Sequence, residues 1–439
     1  MKVAIIGGGL SGLICALMLE KKGYSPTIYE RSSTVGGVFN SFFRKGVLFD
    51  IGFHYSGSLA KGQYLYSMFE RYNLKDKLKF SMYDQVFDSL YIDNETFHIP
   101  NSSIAFETML KKRFPQEKSA IEKFFSECRN TSIISANAPV DPRSLDEVMA
   151  DFNDSKLKQL LRHFTVFFSK QQFKEASFDI YAKMMIAMLD GTRKIDGGGK
   201  AIVDTIKNLL KKSTIKTKSE ITEVITEGRR VKALKFNNKI EEYDAYISTI
   251  HPKTLSQLIK SENRSVNRYF QHIKSLKETP SVFAIFCLIE KEIKNNLYFY
   301  NNEYYIAVLP SRQYNGKTVA TILVECDYNS YTNLDKSTYK EKKAKECNKH
   351  IERLQSLVDF GNIEIIDAST PLTKQRYSNG CNGSLYGILC SSTQKRLSML
   401  MPKSRFENLY LTGENIIAPG LLGCWLGSEM ATNYFEDVA

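Results

Sequence analysis

The sequence predicts a mixed α/β fold: a discontinuous Rossmann-like domain for a dinucleotide, with an inserted second domain of antiparallel sheet and helices. Residues 2–30 read as strand, helix and strand in quick succession, which is a βαβ unit. Segments of the same mixed character return at 192–252 and 390–439. Between them lie a mostly helical stretch and a run of short β-rich segments joined by turn residues. The nucleotide domain is therefore assigned residues 1–58, 192–252 and 390–439, and the inserted domain 59–191 and 253–389.

Each element follows from its residues. Lys2 to Ile6 is apolar without alternation, the pattern of a parallel strand buried on both faces. Ser11 to Lys22 carries Leu13, Ile14, Ala16, Leu17 and Leu19 and reads as a helix, and Pro26 to Glu30 as the next strand. Residues 60–190 look helical, with Ser119–Cys128 and Lys156–Lys170 amphipathic. A helix from Ala201 to Lys211 precedes strands at Glu220–Ile225, Val231–Phe236 and Ala245–Thr249. A meander fills 281–326, with turns at Asn301-Asn302 and Asn315-Gly316, and a charged helix follows from Lys336 to Leu357. A strand at Leu409–Thr412 and a helix from about Gly423 close the chain.

Composition narrows the partners. Of 439 residues, 43% are hydrophobic and 25% charged, which supports an ordinary globular core. The net charge of +12 favours anionic partners, but no basic, aromatic-interleaved motif points to nucleic acid. The eight cysteines form no CxxC pair, so no metal site is expected, and the pattern suits a reducing, cytoplasmic compartment. Gly7-Gly8-Gly9 interrupts the first apolar run too early for a signal peptide. No run approaches the ~20 apolar residues of a spanning helix. The expectation is a soluble or peripheral protein.

The chemistry starts at Gly7-Gly8-Gly9-Leu10-Ser11-Gly12, between strand and helix. Gly7 permits the tight turn, Gly9 lets the backbone approach a pyrophosphate, and Gly12 lets the helix pack on the strand. The helix N-terminus, through Leu10 and Ser11, offers free N–H groups and partial positive charge to the phosphates. Glu30, at the end of the second strand, is placed to accept hydrogen bonds from a ribose and disfavours a 2′-phosphate. This fingerprint does not separate NAD from FAD.

The continuation does. Glu30-Arg31, then Gly36-Gly37-Val38, Ser41, Gly46 and Phe49-Asp50-Ile51-Gly52-Phe53-His54 resemble a pattern of the flavin-dependent phytoene desaturases, carotenoid isomerases, retinol saturases and amine oxidases. Further matches follow in order: Phe114-Pro115-Gln116-Glu117, Asp196-Gly197-Gly198, Ile221-Thr222-Glu223-Val224, Asp244 to Pro252, and Thr370-Pro371-Leu372-Thr373 with Arg376-Tyr377. Thr412-Gly413-Glu414 and Pro419-Gly420-Leu421-Leu422-Gly423 resemble the closing flavin motif.

The resemblance implies FAD. Gly36 and Gly37 would pass the pyrophosphate, the backbone of Val224 would meet the adenine, and Glu414 would bond the ribityl chain. The last helix would aim its N-terminus at the flavin N1–C2=O edge. Val38 stands where the family often has arginine, and Lys216 to Ser219 replace the usual glycine before the Ile221 strand. The implied activity is redox or isomerase chemistry on carbon–carbon double bonds of a long apolar polyene or isoprenoid. Saturation, desaturation and isomerisation share one cofactor geometry, and the electron donor or acceptor is not readable. An amine or amino-acid oxidase of the same fold and a non-catalytic FAD-binding subunit stand as alternatives.

Several residues carry two readings. His54 leads toward the flavin face and could move a proton or orient substrate; it is equally a hydrogen-bonded interface histidine. Cys424 lies where some amine oxidases tether flavin, without copying their motif. Trp425 could wall the pocket or fill the core. The run Leu157 to Phe168 could touch a membrane or form an apolar core.

Overall fold

The computed structural model describes residues 1–83, 85–131, 141–165, 173–300, 305–394 and 401–437. Its first layer is a five-stranded sheet in the order Leu409–Leu411, Ala245–Ser248, Val3–Ile6, Thr27–Tyr29, Thr214–Lys216. All neighbours in it are parallel. Val3 to Ile6 are buried throughout, as unalternating apolar residues in a central parallel strand must be. The helix Leu10–Lys21 is buried along ten consecutive residues from Leu10 to Leu19 and packs against the closing helix, Gly420–Thr432. Both sit in one core cluster with Phe69 and Ile202.

The second layer is a seven-stranded sheet: Ile363–Ser369, Ser281–Ile289, Lys317–Cys326, Tyr305–Tyr314, Asn296–Tyr300, Val86–Ile92, Glu95–Pro100. It is antiparallel except where Asn296–Tyr300 runs parallel to Val86–Ile92. The turn at Asn315-Gly316 has φ of 49° and 76°, as a two-residue hairpin requires. The Asn301-Asn302 turn lies outside the described residues. A three-stranded antiparallel sheet, Ile221–Glu227, Arg230–Phe236 and Lys239–Glu242, flanks the parallel layer.

Two expectations need correction. Residues 60–190 are not simply helical, because Phe80–Met82, Val86–Ile92 and Glu95–Pro100 are strands. Alternation failed as a signal there: Phe87, Asp88, Ser89 and Leu90 are all buried, so polar residues mark the interior and not the solvent face. The closing helix begins at Gly420, three residues before Gly423, because Pro419 sets its N-terminal boundary.

Leu59, Leu65 and Phe69 bury in the cluster of the first helix, and Leu255, Val266 and Ile273 in that of the three-stranded sheet. Leu157, Leu160, Leu161 and Phe164 are core residues in a third cluster. Phe167 and Phe168 lie outside the described residues.

Candidate functional site

The strand Val3–Ile6 ends one turn before Leu10, and Gly7 makes that turn at φ +104°. A Cβ on Gly12 would lie 2.1 Å from the Gly7 carbonyl oxygen, so the helix reaches its strand only because Gly12 has none. Gly9 is different. Its φ is −66°, and nothing stands within 4 Å of where a Cβ would be. Gly9 faces open space in a cavity of about 1930 Å³ that Gly7, Leu10 and Ser11 also line. Pockets for a single drug-sized ligand span ~300–1,000 Å³, so there is room for a dinucleotide and a second molecule. No side chain caps the helix, which leaves its first-turn amides for a ligand.

Glu30 is pinned beside this turn. Its carboxylate accepts hydrogen bonds from the Gly8 N–H at 2.9 Å and the Ser32 N–H at 2.7 Å. Gly36 donates its N–H to the Gly8 carbonyl at 2.8 Å, which lays the Gly36-Gly37 turn against the first. Both glycines have positive φ, and with Val38 they line the cavity. From the opposite rim, the carbonyls of Arg376 and Tyr377 accept hydrogen bonds from Arg31, at 2.9 and 2.7 Å.

Gly413, Glu414, Gly420, Leu421 and Leu422 line the same cavity. A Cβ on Gly420 would also meet nothing within 4 Å. No side chain caps the closing helix, so its N-terminal amides too are left for a ligand. Burial pushes the Glu414 carboxyl up, against the pull of Lys374. Burial also pushes Lys374 down to about 8, with Glu414 opposing, while its Nζ donates to the Leu385 carbonyl at 2.5 Å.

The Val224 side chain is sealed in the core, and Ser219, Glu220 and Ile221 line the cavity. The pairing of this strand is irregular between Ile221 and Glu223, which a sequence pattern does not reveal.

His54 lines the cavity, half-buried, and its Nδ1 is sheltered from solvent without a partner. Burial pushes its pKa down to about 4, with Asp50 opposing and Lys194 assisting, so the imidazole is neutral at pH 7. Asp50 is held by the Arg312 guanidinium at 2.6 Å and the Ser41 hydroxyl at 2.9 Å. Trp425 is fully buried against Phe69 and Tyr72, a core role. Cys424 reaches the cavity, and burial pushes its thiol up to about 12.

Sequence reasoning missed one cluster. Asp88, His163, Tyr55, Tyr298 and Tyr300 form a hydrogen-bonded group, and its three tyrosines line the cavity. The signal was present: a carboxylate in the apolar strand Val-Phe-Asp-Ser-Leu and a histidine within the Leu157–Phe168 run. Tyr386 also lines the cavity. Among the described residues there is no group that could hold a metal ion.

The bare glycine backbone, the pinned acid, two uncapped helix starts and the unpartnered His54 nitrogen fit FAD. The comparisons agree. A family model described as flavin-containing amine oxidoreductase matches residues 10–420. The chain belongs to this family and is an FAD-dependent oxidoreductase. It is 20% identical to the all-trans-retinol 13,14-reductase of Danio rerio over 98% of this chain and 84% of that protein. It is 20% identical to a 4,4′-diapophytoene desaturase of Staphylococcus aureus, over 69% of this chain and 65% of that protein. An oxidoreductase structure from Methanosarcina mazei superimposes with a TM-score of 0.75 at 17% identity, covering 99% of this chain and all of that one.

Proposed function

We propose that this oxidoreductase acts on carbon–carbon double bonds of a long apolar polyene or isoprenoid, by saturation, desaturation or isomerisation. The observation that carries the reading is the continuity of one cavity. Gly9, Glu30 and His54 line the same cavity as Met184, Met188, Val282, Phe286 and Leu309. Such a lining matches a long apolar chain. Both curated relatives carry retinoid or carotenoid substrates in their names.

FAD, when bound, supplies hydride chemistry. In this reading Gly7, Gly9, Leu10, Ser11 and Gly12 shape the diphosphate cradle, and Arg31, Gly36, Gly37 and Val38 close it. Glu30 grips the ribose. Gly413 and Glu414 approach the ribityl chain, and Gly420, Leu421 and Leu422 bring the closing helix to the ring. His54 hydrogen-bonds the cofactor or a substrate through its unpartnered Nδ1. Residues 1–58, 192–252 and 390–439 act as the cofactor domain, and 59–191 and 253–389 as the substrate domain.

A second reading, an amine or amino-acid oxidase, is favoured by one observation. Tyr298, Tyr300, Tyr305 and Tyr386 all line the cavity, and aromatic faces attract cations. Anaerobic absorbance spectroscopy of the yellow holoprotein separates the readings. Oxidation of the dithionite-reduced flavin by all-trans-retinol, or bleaching of the oxidised flavin by a carotenoid precursor, supports double-bond chemistry. Bleaching by putrescine with later peroxide release supports the amine reading. Flavin inert to all of these overturns both and leaves a binding subunit.

We propose also a peripheral membrane contact. Phe43 and Ile51 line the cavity yet are 73% and 40% exposed, and Arg44 and Lys45 adjoin Phe43. Apolar side chains beside cations at a cavity mouth suit uptake of an insoluble substrate from a lipid surface.

A further inference from the structure

Asp88 and His163 are 0% and 1% exposed, yet both carry groups that water would solvate well. Burying a carboxylate is costly unless its acceptors are filled, and here they are. Oδ1 accepts from Asn296 Nδ2 at 2.7 Å, and Oδ2 accepts from His163 Nε2 at 2.7 Å and from the Tyr55 hydroxyl at 3.4 Å. The other ring nitrogen, Nδ1 of His163, meets the Tyr300 hydroxyl at 2.7 Å.

The directions of these bonds follow from the inventory of hydrogens. A carboxylate only accepts, so Nε2 carries a proton, and in the neutral imidazole Nδ1 is then the acceptor for Tyr300. Having given its one hydrogen to His163, Tyr300 can only accept from Tyr305, with which it is hydrogen-bonded. The Tyr55 hydrogen likewise goes to Asp88, so Tyr298 donates to Tyr55 at 2.6 Å. Two chains of donors therefore converge on one carboxylate, and Tyr55, Tyr298, Tyr300 and Tyr305 all line the cavity. Lys194, 4.7 Å over the Tyr83 ring, also feels the Asp88 charge, and Tyr83 bonds Asn296. Neither Asp88 nor His163 lines the cavity, so they act through the tyrosines.

We propose that Tyr305, Tyr300, His163 and Asp88 form a proton relay that serves the substrate, with Tyr305 as its cavity end and His163 as the store. The inference rests on the double-bond reading above. In the oxidising direction bound FAD would supply the two-electron acceptor for the hydride of one substrate C–H bond. The neighbouring C–H bond gives its electron pair to the new π bond and its proton to the Tyr305 oxygen. The Tyr305 hydrogen passes to Tyr300 and that of Tyr300 to His163 Nδ1, leaving an imidazolium beside Asp88. Saturation runs the same shifts backwards and starts from the imidazolium, after His163 has taken up one proton from solvent through the cavity and the tyrosines. His163 and Asp88 are positioning residues, and the tyrosine end touches substrate.

Two measurements on the FAD-loaded protein test the relay. The first needs no substrate: nitrogen-15 NMR of histidine-labelled holoprotein, with His163→Gln assigning the signal. The expected neutral tautomer bears its proton on Nε2; a proton on Nδ1 overturns the relay. The second uses all-trans-retinol and dithionite-reduced holoprotein in H₂O and D₂O. Tyr305→Phe and His163→Gln are expected to keep FAD and KM. They should lower turnover about 100-fold, within the ~10²–10⁴ of general acid–base catalysis, and abolish the solvent isotope effect and the pH dependence. Unaltered rate, isotope effect and pH profile in folded, FAD-loaded variants overturn the relay while the double-bond reading stands. If wild type ignores retinol and other polyenes, the double-bond reading falls, and the tautomer alone decides whether the relay is wired as described. Tyr305→Phe, which removes a single hydroxyl, covers the case in which His163→Gln does not fold.

Discussion

At the scale of single residues, His54 and Glu30 respond to different tests. A histidine whose basicity falls on folding makes the folded chain the poorer proton binder. Between its ordinary pKa of 6.5 and the folded value of about 4, the unfolded chain takes up a proton that the folded chain refuses. Stability therefore rises with pH through this window and is fully present above it. Wild type should lose roughly 2–3 kcal/mol more than His54→Gln between pH 7 and pH 4, read from urea unfolding of flavin-free protein. Equal losses would remove His54 from the account. Glu30→Ala should weaken FAD by about 1.5–3 kcal/mol, the worth of a charged hydrogen bond, measured by calorimetry of the apoprotein. Its bonds to Gly8 and Ser32 also order the turn, so far-UV circular dichroism should accompany the measurement.

At the scale of elements, the glycine turn contains two opposite kinds of glycine. Gly12 fits because a Cβ would strike the Gly7 carbonyl, whereas a Cβ on Gly9 would point into vacant space. Gly12→Ala should destabilise the fold by about 1–3 kcal/mol, the usual cost of overpacking, visible in thermal unfolding. Gly9→Val should unfold at nearly the wild-type temperature but purify with little flavin. If the two variants behaved alike, the cavity beside Gly9 would not be the diphosphate site.

This contrast also explains what the sequence reveals. The βαβ unit is legible because its chemistry is local: turn, close approach and helix start occupy neighbouring positions, and Glu30 follows a strand later. The helix Lys336–Leu357 is legible from its charge pattern and length. Asp88, His163 and Tyr300 are not legible as a set, since they meet only after three separate segments fold together. The strand that carries Val224 is irregular between Ile221 and Glu223, and bulges leave no reliable mark in a single sequence.

At the scale of the whole molecule, a +12 chain with an aromatic mouth invites a test on lipid. Among the described residues no helix is long and apolar enough to cross a membrane. Co-sedimentation with vesicles containing anionic lipid should retain the protein at low salt and release it as salt rises, because surface charge attraction is screened. Phe43→Ser should weaken the attachment several-fold. Sedimentation indifferent to both changes would rule out the lipid contact.

The central parallel sheet sets Val3–Ile6 beside Ala245–Ser248, and that strand beside Leu409–Leu411; the first and last helices then lean on each other. A nascent polypeptide thus presents the glycine turn early but lacks the strand and helix that lean on it until residues 409–432 have emerged. If the closing helix forms half of the cofactor site, flavin loading waits for residues 409–432. Shortened products ending before Leu409 should be colourless however much of the glycine turn they retain, and a proteolytic nick near the end should bleach the protein before it fragments further.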